Sequence, residues 1–227
     1  MTQKGNLVLS QRLKSEVEKY YYRVKDTNPL FANASNGTLS EREIAEYLYN
    51  IQYLITFTPV YLGLATRRCE ELGLTHLAGF YRSKKGEEVD HDRWAEDDLS
   101  RLKAKFQYEP TKRIAHPIKQ LVTYLEKMIT ENPKLYLGYI LLAEYFTVLL
   151  GPQWLSDLEA NCNIPASMMT VIGNHASLDK EHVLDDIHQL DTFLANETNA
   201  DPFVAVVKTA ADLHEQFCSL VGTVHGK

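Results

Sequence analysis

Residues 135–150 read Leu-Tyr-Leu-Gly-Tyr-Ile-Leu-Leu-Ala-Glu-Tyr-Phe-Thr-Val-Leu-Leu, an almost unbroken apolar run whose one charge is Glu144. The run is too short to span a bilayer, which takes roughly 20 apolar residues. A helix that is apolar all round in a soluble protein is the central one, wrapped by its neighbours. The rest of the chain agrees, because apolar residues recur at spacings of three and four from Leu9 onward and strand-like alternation is scarce. The expected fold class is all-α.

The spacing predicts helices from Ser10 to Lys25, Ser40 to Leu72 with a kink near Pro59, Thr75 to Lys103, and Pro117 to Thr130. It predicts three more, from Leu135 to Leu158 with an interruption at Gly151-Pro152, Pro165 to Gln189 with a break near Gly173, and Pro202 to Val221. The separators carry turn chemistry: Asn33 to Gly37 before a capping box at Ser40 to Glu43, then His116-Pro117, Asn132-Pro133 and Asn163 to Pro165. No linker is long enough to divide domains and no repeat recurs at a fixed period, so one domain over residues 1–227 is expected. Its form would be a single compact bundle of roughly seven helices.

Composition narrows the function classes. With 44% hydrophobic and 24% charged residues the chain can bury a sizeable core. A net charge of -6 gives no global attraction to nucleic acid or anionic lipid, so neither is expected as a partner. The segment from Met1 to Glu16 is polar and lacks the apolar core of a secretory signal, which predicts a cytoplasmic protein. Cys69, Cys162 and Cys218 form no CxxC pair and read as reduced thiols.

Three segments carry chemistry. A lone carboxylate in an apolar helix is costly to bury, and the helix around Glu144 supplies no cation of its own. Glu144 is then a protonated carboxyl bonded to Thr147 or to a neighbouring tyrosine, a residue on the one exposed face of the helix, or a metal ligand. His175, Asp179 and His182 fall within an arc of about 60° on one helical face, so the three can converge on one point. His188 points to the opposite side. In Glu87-Glu88-Val89-Asp90-His91, Glu88 lies three residues before His91 and Glu87 four before it, so either glutamate could join His91 at a metal. The alternative is a solvated acidic face. Carboxylate and imidazole donors without clustered thiolates suit iron or manganese, and the HExxH pattern of zinc proteases is missing.

A Glu-x-x-His, a lone Glu on a later apolar helix and then His-x-x-x-Asp-x-x-His together resemble the haem-oxygenase-like diiron oxidases and oxygenases, among them CADD-like and UndA-like proteins. The resemblance covers most of the chain. It implies a haem-oxygenase-like fold, two iron ions and metal ligands at Glu88, His91, Glu144, His175, Asp179 and His182. CADD-like members place the first glutamate seven residues before the histidine, where this chain has Lys84, whereas UndA-like members place it three before, where Glu88 stands. A lysine there either weakens one iron or, as a substrate-binding residue, meets a substrate carboxylate. The implied activity is non-haem, dioxygen-dependent oxidation or cleavage of a small amino-acid-like or carboxylate substrate. The implied partners are that substrate and dioxygen, with a homodimer left open.

Relatives of other chemistry share this fold. True haem oxygenases need a histidine in the first helix, and the first histidine here is His76. A thiaminase-like hydrolase would use a cysteine, for which Cys162 is the candidate, and a metal-free binding protein would keep the bundle alone. CADD-like proteins are thought to consume one of their own tyrosines, which draws attention to Tyr20, Tyr21 and Tyr22.

Overall fold

Side-chain caps set several helix starts. Asn28 accepts the Leu30 N–H at 3.1 Å and, with proline at the first position, opens α2 (Pro29–Ser35). Ser40 opens α3 (Glu41–Thr56) with the expected capping box, in which Glu43 Oε2 accepts the Ser40 N–H at 2.7 Å. Helix α1 (Leu9–Val24) precedes them, and α4 (Thr58–Glu71), α5 (Thr75–Glu87), α6 (Asp92–Phe106), α7 (His116–Glu131), α8 (Tyr136–Cys162), α9 (Thr170–Phe193) and α10 (Asp201–Gly222) follow. The structure, a computed structural model, describes residues 8–195 and 197–223, so the first seven residues of the polar N-terminal segment lie outside it. Among the described residues there is no strand. The described residues form an all-α bundle with ten α-helices, three more than the apolar spacing predicts.

The differences have local causes. Helix α2 has 7 residues, too few for its apolar period to show. The kink near Pro59 is a full break at Phe57, after which Pro59 lies in the first turn of α4 and needs no donor. The long helix expected from Thr75 to Lys103 is interrupted: α5 ends at Glu87, Asp90 is left-handed with φ 69°, and His91 leads into α6. Aspartate tolerates that conformation better than most residues.

Neither expected break in α8 or α9 occurs, and both elements stay continuous past Gly151-Pro152 and Gly173. Packing overrides propensity here. A Cβ on Gly151 would come within 3.1 Å of the Ala176 Cβ, so glycine lets α8 and α9 approach closely along their length. With 27 residues α8 is longer than the apolar run alone indicates and passes the length for a bilayer span. It is instead enclosed by α1, α2, α9 and α10, and most of its apolar part is buried against them. That central position brings Glu144 inside the bundle, opposite α9.

Candidate metal centre

The six ligand candidates form two groups. Glu88, His91 and His175 each offer a donor atom within 4.8 Å of the others, and Glu144, Asp179 and His182 do the same. The first group joins the α5–α6 turn to α9, and the second joins α8 to α9. His91 and Glu88 keep their contact across the broken helix, with His91 Nδ1 3.0 Å from Glu88 Oε2. Glu88 is buried and Glu87 is exposed, so of the two neighbouring glutamates only Glu88 faces inward. Glu87 lies on the outer side, 3.8 Å from His182 Nε2. His188 is exposed, as its angle predicts.

The imidazoles are positioned by groups behind them. His175 Nδ1 is 2.6 Å from Val171 O, and because a carbonyl can only accept, Nδ1 carries the proton and leaves the Nε2 lone pair free. Burial lowers the His175 pKa, which favours the neutral ring that a metal needs. His91 stacks on Trp94 at 4.0 Å, and His175 meets both rings edge-on at 5.0 and 5.2 Å. Helix α9 has no N-cap side chain of its own, and Asp98 of α6 supplies one.

The electrostatics are those of a crowded acidic interior. Asp179 is pushed up to about 8 by burial and by the charge of Glu88. Glu144 is raised by burial and by Asp186. Burial alone would raise Glu88, but the His91 hydrogen bond and charge outweigh it and hold that carboxyl below its usual value. Glu144 Oε2, His182 Nδ1 and Asp186 Oδ2 are buried without a hydrogen-bond partner. Orphaned polar atoms of this kind, beside three carboxylates and three imidazoles, fit divalent cations.

Lys84 is the residue whose surroundings differ most from the sequence reading. Its side chain is 6% exposed and its ammonium lies 2.7 Å from Glu144 Oε1 and 3.3 Å from Asp186 Oδ1. Burial would lower the lysine pKa, yet the two carboxylates raise it, so Lys84 stays charged. The cation expected to meet a substrate carboxylate is engaged by carboxylates of the protein itself, and Glu144 has a cation after all, contributed by α5. Asp186 was missed, although at seven residues beyond Asp179 it lies within the same helical arc as His175, Asp179 and His182.

The centre lies between two spaces. An internal cavity of about 170 Å³ is lined by Glu88, Glu144, His175 and Asp179 together with aliphatic and tyrosine side chains. An open groove of about 850 Å³ reaches it from outside at Glu87 and His182. Lys84 borders both. On the cavity wall Tyr20 Oη lies 2.7 Å from Nδ1 of His214, a half-buried histidine whose pKa desolvation lowers to about 4. Of the tyrosine run only Tyr20 is buried, and Tyr22 is 68% exposed. Cys162 does not line the cavity; its Sγ is 3.5 Å from Ala34 O.

No family model matches the sequence, and no curated protein does. Solved structures do match in shape. A domain of unknown function with a haem-oxygenase-like fold from Shewanella denitrificans aligns with a TM-score of 0.76 and 17% identity, covering 93% of this chain and 90% of that one. A TenA homologue from Pseudomonas syringae pv. tomato aligns at 0.74 with 14% identity, over 94% and 92% of the two chains. A CADD-like protein of unknown function from Nostoc punctiforme aligns at 0.64 with 13% identity, over 93% and 97%. The ten helices that bring three histidines and three carboxylates together in two groups are therefore arranged in the haem-oxygenase-like fold.

Proposed function

We propose that this centre binds two ferrous ions and uses them to activate dioxygen for oxidation or cleavage of a small substrate held in the internal cavity. The observation that carries this reading is the convergence of two three-residue groups, each with its donor atoms within 4.8 Å, beside one cavity that four of the six residues line. Glu88, His91 and His175 would hold one ion, and Glu144, Asp179 and His182 the other. Bound iron would supply one-electron chemistry with dioxygen, which no side chain present can perform. A CADD-like protein among the structural matches supports the diiron reading at the level of shape.

The chain's own residues account for the rest. The cavity walls, including Ile51, Leu54, Ile55, Leu62, Ile140 and Leu142, exclude water and select an apolar body. At about 170 Å³ the space is close to the roughly 150 Å³ cavity known to take benzene, so it suits one ring or a short chain. His175 keeps its proton on Nδ1 through Val171 O, which fixes the ring orientation. The Asp179 carboxyl holds a proton in the metal-free protein at neutral pH and gives it up when a cation binds. A thiaminase-like hydrolysis would need a cysteine at the cavity, and among the described residues none lines it.

The test is anaerobic reconstitution with ferrous iron, then metal analysis and oxygen uptake on exposure to air. Bound iron that consumes oxygen is expected, with His175→Ala and His182→Ala each losing metal while helical circular dichroism persists. Undiminished iron in His182→Ala would refute the assignment.

A further inference from the structure

We propose that Lys84 is a resident counter-cation of the second metal group, which competes with a metal ion for Glu144 and makes the second ion bind more weakly than the first. The inference rests on the two-ion reading above and concerns how the two sites differ.

The two oxygens of Glu144 are in unlike positions. Oε1 receives the Lys84 ammonium at 2.7 Å, whereas Oε2 is buried and has no hydrogen-bond partner. A free carboxylate in a two-metal site can bind one ion through both oxygens or bridge two ions. With Oε1 engaged by an ammonium, a metal ion would have to compete with Lys84 for that oxygen, whereas Oε2 is free to join Asp179 and His182.

The same ammonium opposes the second ion by charge. A divalent cation placed on Glu144 sits close to a fixed positive group inside the protein, where repulsion is screened less than in water. The first group has no cation in contact: Glu88 is paired with His91, and His175 donates to a backbone carbonyl. Asp186 completes the device. Lying 3.3 Å from Lys84 and itself close to Glu144, it keeps the lysine balanced when a metal draws off charge from Glu144, so Lys84 need not leave. Lys84 is a positioning residue in this arrangement, acting through Glu144.

The experiment is titration of the metal-free protein with manganese(II), following loss of the free-ion electron paramagnetic signal and checking stoichiometry by elemental analysis. The wild type should bind one ion tightly and a second at least tenfold more weakly. Lys84→Met should tighten the second ion at least tenfold and leave the first unchanged, a split that a purely structural role would not produce. Because Lys84→Met leaves Asp186 unpaired and can impair folding, Lys84→Met with Asp186→Asn is the companion variant, and the same tightening is expected. Two ions of equal affinity in the wild type, or a second-ion affinity unchanged within twofold in both variants, would overturn this proposal while leaving the diiron reading intact. A wild type that binds no ion would overturn both.

Discussion

The Asp98 carboxylate of α6 accepts the Val171 backbone N–H at the start of α9 at 2.8 Å. Its other oxygen accepts the Thr170 hydroxyl at 2.7 Å and an Arg101 N–H at 2.8 Å. One fully buried side chain thus caps the helix that carries His175, Asp179 and His182, and fastens it to the helix that begins beside His91. The two sides of the first metal group are held in register by this contact.

Asp98→Ala should therefore cost stability and metal binding together. Loss of a cap typically costs about 1–2 kcal/mol, and here it also strands the buried Val171 N–H. The first ion, which needs His91 and His175 at once, should weaken more than the second, which draws no ligand from α6 or the turn before it. Chemical denaturation and manganese titration of the variant measure both effects. A variant destabilised by this amount with equal losses at both ions would show that Asp98 supports the bundle and not the register of the centre.

Glu87 and Glu88 are neighbours in sequence and opposites in space. Glu88→Ala removes a buried ligand candidate and the partner of His91 Nδ1, so the protein should lose its tight first ion. The exposed Glu87 lies 3.8 Å from His182 Nε2, a distance at which a solvated pair contributes little. Glu87→Ala should shift the affinity of either ion by less than about threefold, in line with a surface contact of under ~1 kcal/mol. Metal stoichiometry of the two variants decides the matter, and a centre that survives loss of Glu88 but not of Glu87 would place the ligand on the outer face.

The legibility of this centre in the sequence follows from what a helix period can and cannot carry. That His175, Asp179 and His182 share one face is legible because 3.6 residues per turn fixes their relative angles within one continuous helix, but they do not meet at one point: His175 joins Glu88 and His91, and the other two join Glu144. Glu144 stood out because a single charge in an apolar run is costly wherever the run is buried. The break at Asp90 was not readable, since it rests on one residue in the left-handed region, and the pairing of Glu88 with His91 survives it. The continuity of α8 past Gly151 and Pro152 was hidden as well, because this stretch packs against Ala176 of α9, a contact that the period of one helix does not carry. Lys84 was noticed as a departure, but only the packing of α5 against the centre shows that its ammonium meets Glu144 and Asp186. His214 gave no spacing signal at all, being brought to Tyr20 from 194 residues away.

His214 predicts an acid limit to stability. Burial holds its folded pKa at about 4, below the ordinary value of 6.5, so the unfolded chain takes up a proton between these values and the folded one does not. Stability is then fully present above about 6.5 and is lost as pH falls through 4. His214→Gln cannot titrate yet can still accept from Tyr20. It should flatten the fall in unfolding free energy between pH 6.5 and 4 relative to the parent, as measured by urea denaturation at each pH. An identical slope in both proteins would assign the acid limit to other groups.

Asp179 sets the opposite dependence, and it links protons to metal. Burial and the nearby Glu88 raise its pKa from 3.8 to about 8 in the metal-free protein, so at neutral pH the folded state holds a proton that the unfolded state lacks. Its contribution to metal-free stability is therefore present at low pH and is lost as pH rises through about 8. A cation at the second group needs the ionised carboxylate, so binding must expel that proton. Below pH 8 the second-ion affinity should fall by up to about tenfold for each pH unit, because each bound ion competes with one proton at Asp179. The first group does not share this cost: its one carboxylate, Glu88, is held below the usual range, and the His175 ring is neutral. Calorimetric titration with manganese(II) in buffers of different ionisation heat should thus show about one proton released with the second ion at pH 7 and far fewer with the first. Release of equal numbers of protons at both steps, or a second-ion affinity that is flat between pH 6 and 9, would remove Asp179 from the ligands of the second ion.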